Sequence, residues 1–237
     1  MIDNIDYLTQ FFVGLFEGDG SIQVNHWRSK SMQFRLIIKL KNLPANYNML
    51  IRIAKAVGGT VRHTDKDKFV IWVVNDRSEV ERIIKIFDKY PLLTARKICQ
   101  LRFLKKCLGN SDIDEYFATR DNRYAEADAI MESKPYLPVA GSSYFCAWVA
   151  GFVEAEGCFS VRKSGVRSFS VSQKNEPFLM EEIKSLFNSQ NSVRKTKGDV
   201  YIFEIYKFDT LMEIALFLEK NPLIGEKRES YIRFFNK

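Results

Sequence analysis

The sequence has few residues of the kinds that hold structural metals or disulfides, with four cysteines and two histidines in 237 residues. The cysteines, Cys99, Cys107, Cys146 and Cys158, form no closely spaced pair, which argues against zinc fingers, zinc ribbons and disulfide scaffolds. We interpret them as small core residues in a reducing compartment. No apolar run is long enough to span a bilayer, and we find no secretory signal peptide. We therefore expect a soluble protein with no membrane partner.

Basic residues outnumber acidic residues, which gives a net charge of +7 and an isoelectric point near 9.1. This balance suits a polyanionic partner such as a nucleic acid, although many basic proteins bind none. Residues 1–115 carry 19 basic and 13 acidic side chains, whereas residues 141–237 carry 14 and 12. We expect the two parts of the chain to contribute unequally to the binding of a polyanion.

A seven-residue pattern occurs twice, at residues 14–20 and 151–157. Each copy consists of a glycine, two apolar residues, an acid, a small residue, a second acid and a closing glycine. The apolar residues in and before the pattern fit helical spacing, and a glycine commonly follows a helix end. The pattern therefore predicts two helices that each end at an acid, and its repetition predicts a duplicated structural unit.

The second acids of the two copies, Asp19 and Glu156, fall at the predicted helix C-termini, where carboxylates are disfavoured by roughly 0.3–1 kcal/mol each. A divalent metal held by oxygen ligands from both helix ends would reverse that penalty. Gly14 and Gly151 would let the two helices pack closely, which brings the acids side by side. Such a pair suits metal-assisted hydrolysis of a phosphodiester. The alternative is that these are solvated acids at helix ends. The presence of a second copy of the motif makes this alternative less favoured.

The residues after each motif copy predict the same order of elements. In the first copy these are strands at 21–28 and 33–41, a helix at 47–57, a hairpin of 60–66 and 69–74, and helices at 78–90 and 95–108. In the second they are a hairpin of 158–163 and 168–174, a helix at 176–188, a hairpin of 192–197 and 200–206, and helices at 210–220 and 226–235. We predict an α+β fold with antiparallel sheets in two halves, residues 1–110 and 143–237. The linker, residues 111–142, contains a short predicted helix at 124–132.

Each predicted sheet has one apolar face and one polar face. The polar side chains could contact bases and phosphates of a duplex, although a solvated sheet face is an equally simple interpretation. The candidate DNA-contacting residues of the first half are Ser21, Gln23, Asn25, Trp27, Arg28, Arg35, Ile37, Lys39, Arg62, Thr64 and Lys66. Those of the second half are Ser160, Arg162, Arg167, Ser170, Ser172, Arg194, Lys195, Thr196 and Lys197.

The doubled motif, the order of elements and the connector together resemble the monomeric LAGLIDADG homing endonucleases, whose name spells the pattern at residues 12–20 and 149–157. The resemblance covers nearly the whole chain. It implies two pseudo-symmetric αββαββα halves that meet at the motif helices, with saddle-shaped sheets laid along the major groove of double-stranded DNA. It also implies a monomer that cleaves a long pseudo-palindromic or asymmetric site with Mg²⁺, for which Mn²⁺ or Ca²⁺ can substitute in binding. An organellar location, in the mitochondrion, follows from the resemblance alone, because the sequence carries no targeting signal.

Metal ligation carries over from the family to the last acids, Asp19 and Glu156, together with the small residues before them, Gly18 and Ala155. The earlier acids of the two copies match family positions that support the helix ends rather than the chemistry. The resemblance therefore implies one pair of metal-binding acids and one pair of structural acids.

The family also has a lysine near the metals just after the Pro-Leu turn of each half, which Lys227 matches in the second half. In the first half this position falls at Arg96, with Lys97 adjacent, and the assignment between the two is open. A polar residue that closes the second strand matches Gln173, whereas the first half has Leu40 there. The resemblance therefore implies two active sites that work at unequal rates.

Two further functions on the same fold are alternatives. One is an RNA maturase that assists intron splicing, with intron RNA as its partner, and no residue excludes it. The other is a DNA-binding regulator that has lost its acids. Because both motif acids are present, the loss that defines such a regulator is not expected here.

Overall fold

A computed structural model describes residues 4–110 and 112–235 and contains two halves with the same order of elements. The first half comprises α1 (Ile5–Asp19), β1 (Gly20–Trp27), β2 (Ser31–Lys41), α2 (Pro44–Val57), β3 (Thr60–Thr64), β4 (Phe69–Val74), α3 (Arg77–Lys89) and α4 (Ala95–Gly109). The connector contains α5 (Ile113–Thr119), α6 (Ala127–Glu132) and 3₁₀ turns at Arg120–Asn122 and Leu137–Val139. The second half comprises α7 (Ser143–Glu156), β5 (Cys158–Val161), β6 (Arg167–Lys174), α8 (Pro177–Leu186), β7 (Arg194–Lys195), β8 (Val200–Ile205), α9 (Phe208–Lys220) and α10 (Glu226–Phe235).

Each half has a four-stranded antiparallel sheet, ordered β1-β2-β4-β3 in the first and β5-β6-β8-β7 in the second. The predicted α+β class with two repeated αββαββα halves is therefore confirmed, and each half adds one closing helix. In β2, Phe34, Leu36 and Ile38 are buried on one face, as the alternating pattern predicted. Among the described helices, none has the length and apolarity needed to cross a bilayer.

The two motif helices, α1 and α7, pack directly against each other at the centre of the molecule. A Cβ atom added at Gly14 would lie 1.9 Å from the carbonyl oxygen of Trp148, and one added at Gly151 would lie 2.0 Å from that of Phe11. Only glycine leaves room for backbones this close. One apolar core extends through both halves, so the halves share their interior.

The strand β7 is much shorter than the predicted strand at 192–197. In the register of β7 with β8, Ser192 would face Glu204, but the side-chain amide of Asn191 donates a 2.7 Å hydrogen bond to the Glu204 carbonyl oxygen. A side chain thus takes the acceptor that a longer strand would use. The strand β5 also ends earlier than predicted, at Val161, since Gly165, with φ of +83°, lies in a turn closed by the hydrogen bond from the Arg162 N–H to the Val166 carbonyl. The strand β6 begins at Arg167, one residue before its predicted start.

Two helices also differ from the prediction. The helix α2 begins at Pro44 and not near Tyr47, because proline fits the first turn, where its missing N–H is not needed. The helix α5 was not predicted. Asp112 caps it by accepting hydrogen bonds from the N–H groups of Asp114 and Glu115 at 2.8 and 3.4 Å.

Candidate active site

The last residues of α1 and α7, Asp19 and Glu156, lie side by side at one end of the motif helices. The side chain of Glu156 packs on Gly18, where an added Cβ atom would lie 3.1 Å from Glu156 Cγ and 3.3 Å from Oε1. Gly20 follows α1 in an extended conformation, with φ of −80°. Only glycine fits at this position, because a Cβ atom there would lie 2.3 Å from the Phe16 carbonyl oxygen.

The two acids repel each other in a partly desolvated position. Burial raises the pKa of Asp19, while the ammonium groups of Lys227 and Lys97 oppose this rise. Burial also raises the pKa of Glu156, the negative charge of Asp19 raises it further, and the same two lysines lower it. A pair of carboxylates at two negative helix ends favours a bound cation, and the two lysines offset part of this negative charge.

The earlier acids of the motifs, Glu17 and Glu154, are buried and hold the turns that precede the closing helices. Glu17 accepts hydrogen bonds from the N–H of Leu93, from the N–H and hydroxyl of Thr94, and from the indole N–H of Trp148, at 2.5 to 2.9 Å.

Glu154 accepts bonds from the N–H groups of Ile224, Gly225 and Lys227 at 2.8 to 3.1 Å. Both oxygens of each carboxylate accept hydrogen bonds from backbone or side-chain donors of their surroundings. Glu17 and Glu154 therefore fix the helix starts and point away from solvent.

The sequence left the basic residue of the first half open between Arg96 and Lys97, and the structure places these two side chains differently. Arg96 aligns with Lys227, but its side chain is exposed and its guanidinium lies 5.0 Å from the ring centroid of Tyr124. Lys97 is buried, and its ammonium donates a hydrogen bond to the carbonyl oxygen of Gly20, next to the motif acid. Burial lowers the pKa of Lys97, while the charge of Glu17 opposes this.

Two cavities of unequal size adjoin the acid pair. One, of about 400 Å³, is lined by Glu156, Lys97 and Gln173, among others. The other, of about 140 Å³, is lined by Asp19, Lys227 and Leu40. Gln173 and Leu40 close corresponding strands, β6 and β2, on the faces that lie toward the helices. The larger cavity therefore has a polar wall where the smaller one has an apolar wall.

Two residues that no sequence pattern predicted connect each half to a closing helix of the other half. Glu176, before α8, accepts a 2.6 Å hydrogen bond from the N–H of Ala95, the first residue of α4. Asn46, in α2, accepts a 3.2 Å bond from the N–H of Glu226, the first residue of α10. No local pattern signals either bond, because each joins residues far apart in the sequence.

The outward face of the first sheet collects the candidate DNA-contacting residues of β1, β2 and β3. Cross-strand pairs place Gln23 opposite Arg35 and Lys39 opposite Ile71, which in turn faces Arg62. The same register puts Ser21, Asn25, Trp27, Ile37 and Thr64 on this face, together with Gln33, Thr60 and Val73, which the sequence analysis did not single out. Arg28 and Lys66 lie in the two hairpin turns, with φ of 51° and 56°. Lys39 forms an ion pair with Asp65.

The outward face of the second sheet is less charged. Ser160, Ser170 and Ser172 lie on it, with Arg162 stacked 5.2 Å from the Tyr206 centroid and Arg194 paired with Glu204 at 2.6 Å. Thr196 and Lys197 are exposed in the turn between β7 and β8.

Two candidates of the second half lie on the helix side of the sheet. Arg167 shares the face of Phe169, and its guanidinium lies 6.0 Å from the ring centroid of Phe234. Lys195 pairs with Tyr201 and forms an ion pair with Asp199 at 2.7 Å. Strand alternation therefore places both on the face opposite that of Ser170 and Arg194.

The donor set at the helix ends fits a hard divalent cation. Within residues 4–110 and 112–235, no group of three or more His, Cys, Asp or Glu side chains gathers at one point. The available donors are the carboxylates of Asp19 and Glu156 and the main-chain carbonyls of the last helical turns, which include Gly18 and Ala155. These are all oxygen ligands, the type that Mg²⁺ and Ca²⁺ prefer. Gly18 and Ala155 offer only carbonyls, and Ala155 also fills the space above Gly18.

Comparison with known proteins gives consistent results. The family model described as LAGLIDADG endonuclease matches residues 12–107 and again 149–236. A probable intron-encoded endonuclease aI3 of Dictyostelium citrinum is 45% identical over 97% of this chain and 94% of its own length. A protein of the same name from Debaryomyces hansenii is 42% identical over 98% of this chain, which spans 38% of that relative. A structure of the I-LtrWI LAGLIDADG homing endonuclease bound to target DNA has a TM-score of 0.74 at 23% identity, covering 98% of this chain and 89% of that one.

Proposed function

Because the chain belongs to the LAGLIDADG endonuclease family, whose members are DNA-cleaving nucleases, we propose that it is a metal-dependent homing endonuclease that cuts both strands of a specific DNA site. The observation that carries this proposal is the juxtaposition of Asp19 and Glu156 at the ends of the packed motif helices. A protein that only bound DNA would have no use for two adjoining carboxylates beside a polyanion.

The residues around the acids have separate parts in the proposed reaction. Asp19 and Glu156, with the carbonyls of Gly18 and Ala155, would hold Mg²⁺, which activates water and stabilises the departing oxygen of a phosphodiester. Lys97 and Lys227 keep positive charge beside the phosphate where negative charge develops.

Gln173 offers a hydrogen-bonding side chain in the cavity beside Glu156, whereas Leu40 offers none in the cavity beside Asp19. The two strands of the site should therefore be cut at different rates. Replacing Gln173 by Leu should slow one strand more than the other, as strand-specific end-labelling would show.

The outward sheet faces are the proposed DNA-binding surface, and a single chain provides both halves of it. The first face carries Arg35 and Arg62 together with Lys39, which is paired with Asp65, whereas on the second face Arg194 is paired with Glu204. Phosphate contacts release counterions, so affinity should fall steeply with salt and depend more on the first half. Arg and Lys on these faces would contact phosphates or guanine edges, and the amide side chains would contact adenine.

The proposal is tested by incubating the protein and Mg²⁺ with a randomised duplex library and sequencing the cut ends. We expect cutting to concentrate at one related set of long sites, and to require the divalent metal. The double variant Asp19→Asn with Glu156→Gln serves as the matched control. Failure to enrich any site would reject the proposal in favour of an RNA maturase or a DNA-binding regulator, both of which tolerate loss of the acids. Equal cutting by the control would reject the paired acids as the metal site.

A further inference from the structure

The connector forms one wall of a groove that the proposed reaction does not use. The groove has a volume of about 460 Å³ and runs along β1, the edge strand of the first sheet. Three arginines line it: Arg96 from α4, and Arg120 and Arg123 from the connector. Among the described residues that line the groove, Asp121 is the one acid. The groove is therefore strongly basic.

An aromatic ring lies against each of the three arginines, and a carboxylate lies near one of them, Arg120. The guanidinium groups of Arg96 and Arg123 lie 5.0 and 4.9 Å from the ring centroid of Tyr124. That of Arg120 lies 5.2 Å from the centroid of Phe117, and its Nε atom is 3.7 Å from an oxygen of Asp121. Within the described part of the chain, neither Arg96 nor Arg123 forms an ion pair. One N–H of Arg123 donates a 2.7 Å hydrogen bond to the carbonyl oxygen of Arg120. A ring against the face of a guanidinium leaves its remaining N–H groups available to a phosphate.

The groove is continuous with both the acid pair and the outward sheet face. Arg96 and Tyr124 line the groove and also the 400 Å³ cavity that contains Glu156. At its other wall, Gln23 and Asn25 belong to the proposed DNA-binding surface. A strand that leaves the acid pair along β1 would thus pass the three arginines.

We propose that the connector completes a binding site for the sugar–phosphate backbone, in which Arg96, Arg120 and Arg123 contact phosphates of the DNA half-site that lies on the first sheet. This inference rests on the proposed function, since it requires a duplex on the sheets. The contacts are to phosphates, so they add affinity without adding sequence preference. The connector then acts as a part of the DNA-binding surface as well as a link between the halves.

The test compares Arg120→Gln and Arg123→Gln with the wild type. Binding to the selected site and to an unrelated duplex is measured by fluorescence anisotropy, with Ca²⁺ in place of Mg²⁺, over a series of salt concentrations. Each variant should reduce the slope of log affinity against log salt by about 0.9, and should lose the same factor on both duplexes. Arg123→Lys, which keeps the charge, should retain the wild-type slope and also tests whether the site tolerates substitution.

Arg102→Gln is the matched control. It lies on α4, is exposed, and is paired with Glu126 of the connector at 2.6 Å, outside the groove. The inference is overturned if the slopes of the Arg120 and Arg123 variants equal the wild-type slope, or if Arg102→Gln lowers the slope as much. If wild type neither binds a duplex nor cuts one with Mg²⁺, the proposed function fails. If wild type does both and the slopes are unchanged, only the role of the connector fails.

Discussion

The carboxylate of Glu176 accepts a 2.6 Å hydrogen bond from the backbone N–H of Ala95, although the two residues belong to different halves. Ala95 begins the helix α4 that carries Lys97, so a residue of the second half fixes the start of a helix of the first. Asn46 makes the reciprocal contact with Glu226. The halves are thus joined at the closing helices as well as at the motif helices.

The contribution of Glu176 to the free energy of unfolding should depend on pH. Burial, opposed by the bond from Ala95 and reinforced by the charge of Glu17, raises the pKa of Glu176 to about 8. Because this pKa is raised above its unfolded value, the stability that Glu176 contributes is fully present below about pH 4.5 and is lost as pH rises through 8. Glu176→Gln stays neutral and should gain about 1–3 kcal/mol in unfolding free energy over wild type between pH 5.5 and 8.5. Urea unfolding at both pH values checks this, with the exposed Glu181→Gln as the control. Parallel pH profiles for Glu176→Gln and wild type would contradict it.

The close contact between α1 and α7 leaves no room for a side chain at Gly14. An alanine methyl there would lie 1.9 Å from the Trp148 carbonyl oxygen, so the motif helices must separate. We expect Gly14→Ala to lower the free energy of unfolding by about 3 kcal/mol or more. Gly109→Ala, with no heavy atom within 4 Å of the added Cβ, should be neutral or stabilising by up to about 1 kcal/mol. Thermal unfolding compares the two, and equal effects would contradict the close packing of α1 and α7.

Neutralising Glu17 and neutralising Asp19, the two acids of the first motif, should have different effects on the free energy of unfolding. Glu17→Gln places an amide against buried N–H donors and should cost about 2 kcal/mol or more in unfolding free energy. Asp19→Asn removes repulsion with Glu156 and should leave stability unchanged or raise it. Denaturant unfolding at neutral pH without divalent metal measures both. A larger loss in Asp19→Asn would show that the roles of the acids are assigned in reverse.

Replacing Lys97 should change the cleavage rate, whereas replacing its neighbour Arg96 should change the dissociation constant for DNA. Lys97→Met removes the ammonium beside the motif acids and should lower the cleavage rate at saturating DNA on the order of 100-fold. Arg96→Met, at the groove, should instead raise Kd and reduce its salt dependence. Single-turnover kinetics with increasing protein separate the two effects, with Lys105→Met as a control on the exposed side of α4. A rate loss confined to Arg96→Met would assign the basic role to Arg96.

Local patterns predicted much of the fold. Helical spacing and the closing glycines placed the ends of α1 and α7 at Asp19 and Glu156, and alternation in β2 identified its buried face. The pattern also contained a signal that went unused: Arg167 has the same parity along β6 as Phe169 and Val171, which are buried.

Other features depend on contacts between distant residues and have no local signal. The sequence aligns Arg96 with Lys227, and only the packing of α4 shows that Lys97 is the buried neighbour of the motif end. The length of β7 depends on the bond from Asn191 to Glu204, which forms only once the hairpin is in place. The hydrogen bonds of Glu176 and Asn46 join the two halves, so they also have no local signal in the sequence.

The most direct test of the proposed function follows cleavage of each strand of the selected duplex under single-turnover conditions, with Mg²⁺ or with a chelator. Wild type should cut both strands only with Mg²⁺. Asp19→Asn and Glu156→Gln should each bind the duplex and cut far more slowly, since each removes one oxygen ligand of the metal. Undiminished cutting of both strands by either variant, or by wild type with the chelator, would contradict a metal-dependent site at the paired acids.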